Sequence, residues 1–316
     1  LVNTWKGTGV RRRPAAEPLT PGRWRVFNVD VTSSKDPGKD ELGVHQVLHE
    51  AVCQRLRLEC KDLPVTSLTV IRKSFDGRNT RKNKEPKFSY VVDVTIDEDA
   101  AAKGRRKPPM ELAPSESLPE PLRCAVTQRK IVIVGAGPAG LFAALRLVDA
   151  GHGPGIVILE RGQPVEKRGK DIGALFHRRI LNRESNVCYG EGGAGTWSDG
   201  KLTSQIGRNS AHVRRVLETL NKFGAPDTIL VNGKPHMGTD NLVRLLRNAR
   251  AHLEGAGVQF RFGSKVQSLE GGEAGAPVTG VRLEGGEVIP CDHCVLAIGH
   301  SSRDLVKELY RLGGDY

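Results

Sequence analysis

Along the first hundred residues the spacing of apolar positions changes several times. From residue 24 to 31 they alternate (Trp24, Val26, then Phe27, Val29 and Val31 after a slip), the pattern of a half-buried strand carrying a bulge. Leu42, Val44, Val47, Leu48, Val52 and Leu56 fall at helical spacings and predict an amphipathic helix of about four turns. Residues 65–71 and 88–96 are β-branched runs separated by a polar, basic loop. Strand, helix, strand, strand makes a small α+β unit over residues 23–102. Residues 1–22 have no periodicity and read as a disordered arm. Residues 103–128 hold Pro108, Pro109, Pro114, Pro119 and Pro121 and read as a linker, since proline removes donors and disfavours helix in its neighbours.

Past that stretch the pattern changes. Ile131-Val132-Ile133-Val134 is a continuous apolar run, suited to a parallel strand covered on both faces. It leads into Gly135-Ala136-Gly137-Pro138-Ala139-Gly140. Leu141, Ala144, Leu145 and Val148 then recur at i, i+3, i+4 and i+7, a helix with one apolar face. Residues 151–155 break it, and Ile156-Val157-Ile158-Leu159 is a second buried strand, ending at Glu160. Each part has a task in dinucleotide binding. Gly135 allows the tight turn, Gly137 brings backbone N–H groups to a pyrophosphate, and Gly140 lets the helix pack closely on the strand. Pro138 and Ala139 open the helix whose N-terminus attracts phosphate. Glu160 stands where a carboxylate accepts the hydroxyls of an adenosine ribose and repels a 2′-phosphate, which disfavours NADP. The turn alone allows NAD or FAD. It predicts an α/β Rossmann-type domain with a parallel sheet over residues 129–316.

Two later segments bear on the choice. Residues 187–201 are glycine-rich, a composition that exposes N–H groups to a flat ligand or a phosphate. Gly193, Ala194, Gly195, Thr196, Ser198 and Lys201 are the candidate contacts there, and a mobile surface loop is the competing reading. Glycines this closely spaced are expected to face a ligand rather than to pack. Further on come a helix, a short strand at 258–262, a hairpin at 278–290, and a return strand at 294–299 ending in Ala-x-Gly. Val266 and Gly299 complete the candidate cofactor contacts, Gly299 because it lets the chain pass beneath a ligand.

Composition narrows the class. No apolar run approaches the roughly 18 residues of a membrane-spanning helix. Aromatic residues make up 5% of the chain, too few for a nucleic-acid platform built by stacking. The formal net charge of +12 is uneven: residues 1–130 hold 25 Lys and Arg against 17 Asp and Glu. Runs such as Arg11-Arg12-Arg13 and Arg105-Arg106-Lys107 read first as solvated loops, and nucleic-acid binding is disfavoured. Six cysteines are too few for a disulfide framework and point to a soluble protein of a reducing compartment, chloroplast or cytoplasm. The arm is basic and poor in acids, as transit peptides are, but it lacks serine. Cys291-Asp292-His293-Cys294 has CxxC spacing without a second pair, so no metal site is expected. Cys188 borders the glycine-rich loop and reads first as a buried structural cysteine, with a place facing the cofactor as the alternative. His236 and His300 read equally as proton carriers and as hydrogen-bonded loop residues. No residue declares itself catalytic.

The segments Gly190-Glu191-Gly192-Gly193-Ala194-Gly195-Thr196-Trp197-Ser198-Asp199-Gly200-Lys201-Leu202, His236-Met237-Gly238-Thr239-Asp240 and Gly299-His300-Ser301-Ser302-Arg303-Asp304 carry a resemblance. With the dinucleotide turn, they are similar to the glutathione-reductase-type FAD-binding superfamily. More narrowly, they resemble a family of FAD-dependent dehydrogenases of bacteria and plastid-bearing eukaryotes that has a ferredoxin-like N-terminal extension. The resemblance implies FAD, with the glycine turn, Glu160, Arg161 and Arg168 near the ADP moiety and the 190–201 loop near the flavin. It implies an FAD-dependent oxidoreductase acting on a small organic substrate, with NAD(P)H as an external electron donor. Such proteins continue well past the position of Gly299, so a chain truncated at its C-terminus is expected. The alternative is a non-catalytic flavin- or nucleotide-binding protein whose basic N-terminal domain binds RNA or a protein partner.

Overall fold

The computed structural model describes residues 17–78, 85–106, 109–114, 129–202, 210–233, 235–272 and 276–311. The chain divides into two compact units, one within residues 1–115 and 230–233, the other within 116–229 and 234–316.

In the first unit, β1 (Glu17–Pro18) pairs with β5 (Arg105–Arg106). The main antiparallel sheet has the order β3-β4-β2-β6, built from β2 (Gly22–Thr32), β3 (Leu68–Asp76), β4 (Lys87–Ile96) and β6 (Met110–Leu112). With α1 (Gln46–Leu56) after β2 and α2 (Glu98–Lys103) after β4, the main elements run strand–helix–strand–strand–helix–strand. The slip in alternation is a true irregularity: pairing with β4 shifts between Val26 and Val29, and Asn28 takes φ 55°. Asparagine visits that left-handed region more readily than other side chains. Val26, Val92, Val94, Leu48, Val52 and Leu56 meet in a fully buried core. On β2 and β4, Arg25 donates to both oxygens of Asp93, at 2.6 and 2.8 Å, and the pair is buried.

Two expectations shift here. α1 starts at Gln46, not near Leu42. The buried Lys73 ammonium donates to the carbonyls of Gly38 (2.6 Å) and Glu41 (3.0 Å) and to Asp36 Oδ1 (2.7 Å), holding that stretch as a loop. The proline-rich stretch, read as a linker, supplies β5 and β6, and the arm supplies β1. Their partners lie far off in sequence, where local pattern carries no signal. The rest of the arm (1–16) and residues 115–128 lie outside the described residues.

The second unit is an α/β Rossmann-type domain. β7 (Ile131–Val134), α3 (Pro138–Asp149) and β8 (Ile156–Glu160) form the first βαβ. The chain then runs through α4 (Val165–Arg178), α5 (Ala211–Lys222), the one-turn α6 (Thr228–Val231), whose last two residues belong to the first unit, and α7 (Thr239–Gly255) to β9 (Gln259–Phe262). An antiparallel meander of β10 (Val266–Gly271), β11 (Val278–Leu283) and β12 (Val288–Pro290) precedes β13 (His293–Leu296) and α8 (Arg303–Arg311). The main sheet has the order β13-β7-β8-β9 and is parallel throughout. Val132, Val134 and Leu159 pack with Val281, Leu283 and Leu305 of the meander and α8. Strand order reverses direction between β7 and β13, so the carboxyl ends there open a crevice of the kind that takes ligands. Among the described residues no helix is long and apolar enough to cross a membrane.

Candidate dinucleotide site

At that crevice the glycines have distinct physical reasons. Gly135 takes φ +106°, and a Cβ on it would stand 2.4 Å from the Ala297 carbonyl oxygen. Its N–H donates to Leu159 O (2.7 Å), fixing the turn against β8. A Cβ on Gly140 would stand 2.0 Å from Gly135 O, so α3 seats on the turn only through glycine. Gly137 differs: its missing Cβ has no neighbour closer than 3.9 Å. A side chain there would fill open space at the mouth of α3, where first-turn amides lack intrahelical acceptors.

A cleft of about 480 Å³ lies over the turn. Gly135, Gly137, Pro138 and Ala139 form one side, and Glu160 and Arg161 stand at the end of β8. Gly193 and Ala194 contribute from the glycine-rich loop, and Val266 and Gly299 from the far wall. Glu160 is buried and its carboxylate is heavily engaged. It accepts from the N–H groups of Ala136 (2.9 Å), Gly162 (2.8 Å) and Gly190 (3.1 Å). A carboxylate offers about four lone-pair sites, so roughly one is left for a ribose hydroxyl.

The remaining candidates do not line the cleft. Gly140 is buried beneath the turn, in the packing role expected of it. Arg168 is fully buried and donates to the carbonyls of Asn186, Val187, Gly190, Glu191 and Gly193 at 2.7–3.3 Å. Burial pulls its pKa down to about 10, still charged at neutral pH. The guanidinium expected near the ADP moiety thus works as the internal mould of the 186–193 loop. Thr196 Oγ1 lies 3.2 Å from Gly193 O, Ser198 Oγ donates to Gly195 O (2.7 Å), and Lys201 pairs with Asp199 (2.9 Å). These polar groups serve the loop itself. Gly195 stands in open space. Gly192, expected to face a ligand, is packed, a Cβ there meeting Thr196 Oγ1 at 2.2 Å; Gly190 lines the cleft while a Cβ on it would meet Arg168 Cδ at 2.5 Å. The loop is tied to the turn, with Gly192 N–H donating to Ala136 O at 2.8 Å.

Residues that pattern reading passed over complete the wall. Tyr189 lies under the Arg161 guanidinium, 4.1 Å from its ring centroid, and donates its hydroxyl to Ser301 O (2.7 Å). Arg161 donates to Glu184 (2.6 Å) and lies 3.4 Å from Asp304. Lys265 lies 3.1 Å from Glu284 and 3.6 Å from Glu184. The Arg161 hydrogen bond holds Glu184 below the usual carboxylate range. Burial alone would raise Asp304, but the Leu305 N–H and Arg161 together hold it low as well. Both cations of the cleft are thereby matched by carboxylates. Cys188, expected to be buried, is exposed and lines the cleft. His300 lines it too, whereas the exposed His236 bridges to Lys201 on a neighbouring segment. Of the CxxC pair, Cys291 is buried and Cys294 sits on β13.

No family model matches the chain. An uncharacterized protein of Clostridium beijerinckii is 35% identical over 291 residues, 91% of this chain and 50% of that protein. The electron transfer flavoprotein-ubiquinone oxidoreductase of Pseudomonas aeruginosa is 33% identical over 162 residues, 48% of this chain and 27% of that protein. The chain therefore spans about half the length of the first of these curated relatives and about a quarter of the second. Among solved structures, Thermovibrio ammonificans THI4 is similar at 18% identity and a TM-score of 0.38, covering 58% of this chain and 62% of that one. The GidA-related protein from Thermus thermophilus is similar at 18% identity and a TM-score of 0.32, covering 59% and 69%. The parallel strand order and the βαβ turn define the Rossmann-type domain.

Proposed function

We propose that the second unit binds FAD and that the chain is the cofactor-binding part of an FAD-dependent oxidoreductase acting on a small organic substrate. The observation that carries this reading is the meeting, in one cleft, of an open Gly137 at a helix N-terminus and the Glu160 carboxylate at the end of the next strand. The first-turn amides of α3 would hold the pyrophosphate, and the spare acceptor site of Glu160 the adenosine ribose. A 2′-phosphate would meet Glu160 and find Arg161 and Lys265 already paired with carboxylates, which favours FAD over NADP. When bound, FAD would supply a ring able to carry a hydride from NAD(P)H, as the external electron donor, to the substrate. Arg161 over Tyr189 forms a flat wall that orients what lies against it, and Gly193 and Ala194 leave room on the opposite side. The Pseudomonas relative, an oxidoreductase by name, supports the class. The element order and sheet order of the first unit support a ferredoxin-like module ahead of the cofactor domain.

Calorimetric titration of the chain with FAD, NAD and NADP tests the reading. FAD is expected to bind tightest, and tightest binding by NADP would overturn the role given to Glu160. Gly137→Val should abolish FAD binding, because its side chain takes the space at the helix mouth, while the circular dichroism and unfolding of the first unit stay as in the wild type. Wild-type affinity in that variant would show that the turn is no phosphate site.

A further inference from the structure

We propose that His49, Cys53 and Cys60 in the first unit form a binding site for zinc, with three protein ligands and a fourth position open to solvent. His49 and Cys53 lie on α1 one turn apart, on the same face. The helix ends at Leu56, where Arg57 takes φ 57° and reverses the chain. Leu58 N–H donates back to Cys53 O (2.9 Å), so the short turn containing Cys60 folds beside that face. One ligand atom from each of the three residues then lies within 4.8 Å of the other two. Zn–S bonds of about 2.3 Å and Zn–N bonds of about 2.0 Å put tetrahedral ligand atoms roughly 3.5 Å apart. The remaining contraction falls to Cys60, which is exposed on a short turn, while His49 and Cys53 are buried.

The histidine is already prepared for such a role. Its Nε2 lies 2.7 Å from Leu63 O. A carbonyl oxygen can only accept, so Nε2 carries the ring proton and Nδ1 keeps the lone pair. A backbone carbonyl that fixes the tautomer is a usual support for a metal-ligating imidazole. Two thiols and one imidazole suit a borderline-soft cation, and a Cys2His set with one open position is an established zinc arrangement. Binding releases the two thiol protons to solvent and leaves the metal's oxidation state unchanged.

The test is a titration of the full chain, stripped of metal and kept reduced with a phosphine, using Co²⁺ as the probe. One equivalent is expected to give near-ultraviolet thiolate-to-cobalt charge transfer together with four-coordinate visible bands, both bleached by Zn²⁺. Cys60→Ser, at an exposed position that leaves the core intact, should halve the charge-transfer intensity and weaken binding on the order of 100-fold. The double variant Cys291→Ser, Cys294→Ser should keep the full signal. Absence of the charge-transfer band in the reduced wild type would overturn the proposal. So would full intensity in Cys60→Ser, or loss of the signal in the double variant.

Discussion

Arg168 reads five carbonyl oxygens and no side chain, so its task left no mark in the sequence around it. Arg168→Met keeps much of the volume and removes every donor. Unfolding free energy of the second unit should fall by about 3–5 kcal/mol, since several buried carbonyls lose their donor at about 1–3 kcal/mol each. Urea titration measures that, and FAD affinity should drop with it, because the loop carrying Gly190 and Gly193 loses its mould. A variant as stable as the wild type would rule the network out. Glu191, fully buried beneath the same loop, titrates in the opposite sense to an ordinary paired carboxylate. Burial pushes its pKa up to about 7 against the pull of the Val165 N–H and Arg250. Arg250 Nε stands 3.3 Å away, yet Oε1 makes no hydrogen bond, so burial prevails. The folded chain thus holds a proton that the unfolded chain has released. This contribution to stability is complete below pH 4.5, the ordinary value, and is lost as pH rises through about 7. It amounts to about 3 kcal/mol. Stability of wild type relative to Glu191→Gln should therefore fall by that amount between about pH 4 and pH 8. A flat difference would contradict the shift. Gly135 and Gly140 were legible because a left-handed turn and a close approach demand glycine locally. Arg168 and the packing of Gly190 were not, since their constraints come from residues distant in the chain.

At the level of elements, what was legible followed period and what was missed followed pairing. The bulge in β2 was written in the slip between Val26 and Phe27, and β7, α3 and β8 in their apolar runs. The late start of α1 depends on Lys73, which lies two strands away in the order of the sheet and draws carbonyls out of the helical ladder. β6 depends on β2, more than 80 residues earlier in its register. The same reach makes the Arg25–Asp93 pair informative, because it ties β2 to β4 across the middle of the sheet. Asp93→Ala leaves a buried guanidinium without its carboxylate and should destabilise the first unit by about 3–5 kcal/mol. Urea unfolding followed by circular dichroism reads this. FAD affinity should stay within twofold of wild type, since the cleft belongs to the second unit. A loss below about 1 kcal/mol would place the pair among ordinary surface salt bridges.

Over the whole molecule, the main parallel sheet draws on the most widely separated parts of the second unit. β13 pairs with β7 in parallel register, and Lys130 N–H donates to Asp292 across 162 positions. Until residues 293–296 have left the ribosome, Ile131-Val132-Ile133-Val134 presents one unpaired edge of a flat apolar strand. Deleting residues 292–316 should therefore lower the soluble fraction and abolish FAD binding, measured by sedimentation and by titration of what remains soluble. A soluble, FAD-competent product would show that β13 is dispensable. The Ala297 carbonyl packed against Gly135 places the same delay inside the cleft. The phosphate turn, among the first parts of the second unit to be synthesised, is among the last to reach its final shape, so newly made chain passes through a long interval with strand and turn formed but unsealed. Contacts spanning that much sequence fold slowly. For this molecule the vulnerable period is therefore birth rather than service: demand for chaperones should track translation, and a nucleotide supplied during synthesis can engage its turn only after β13 arrives.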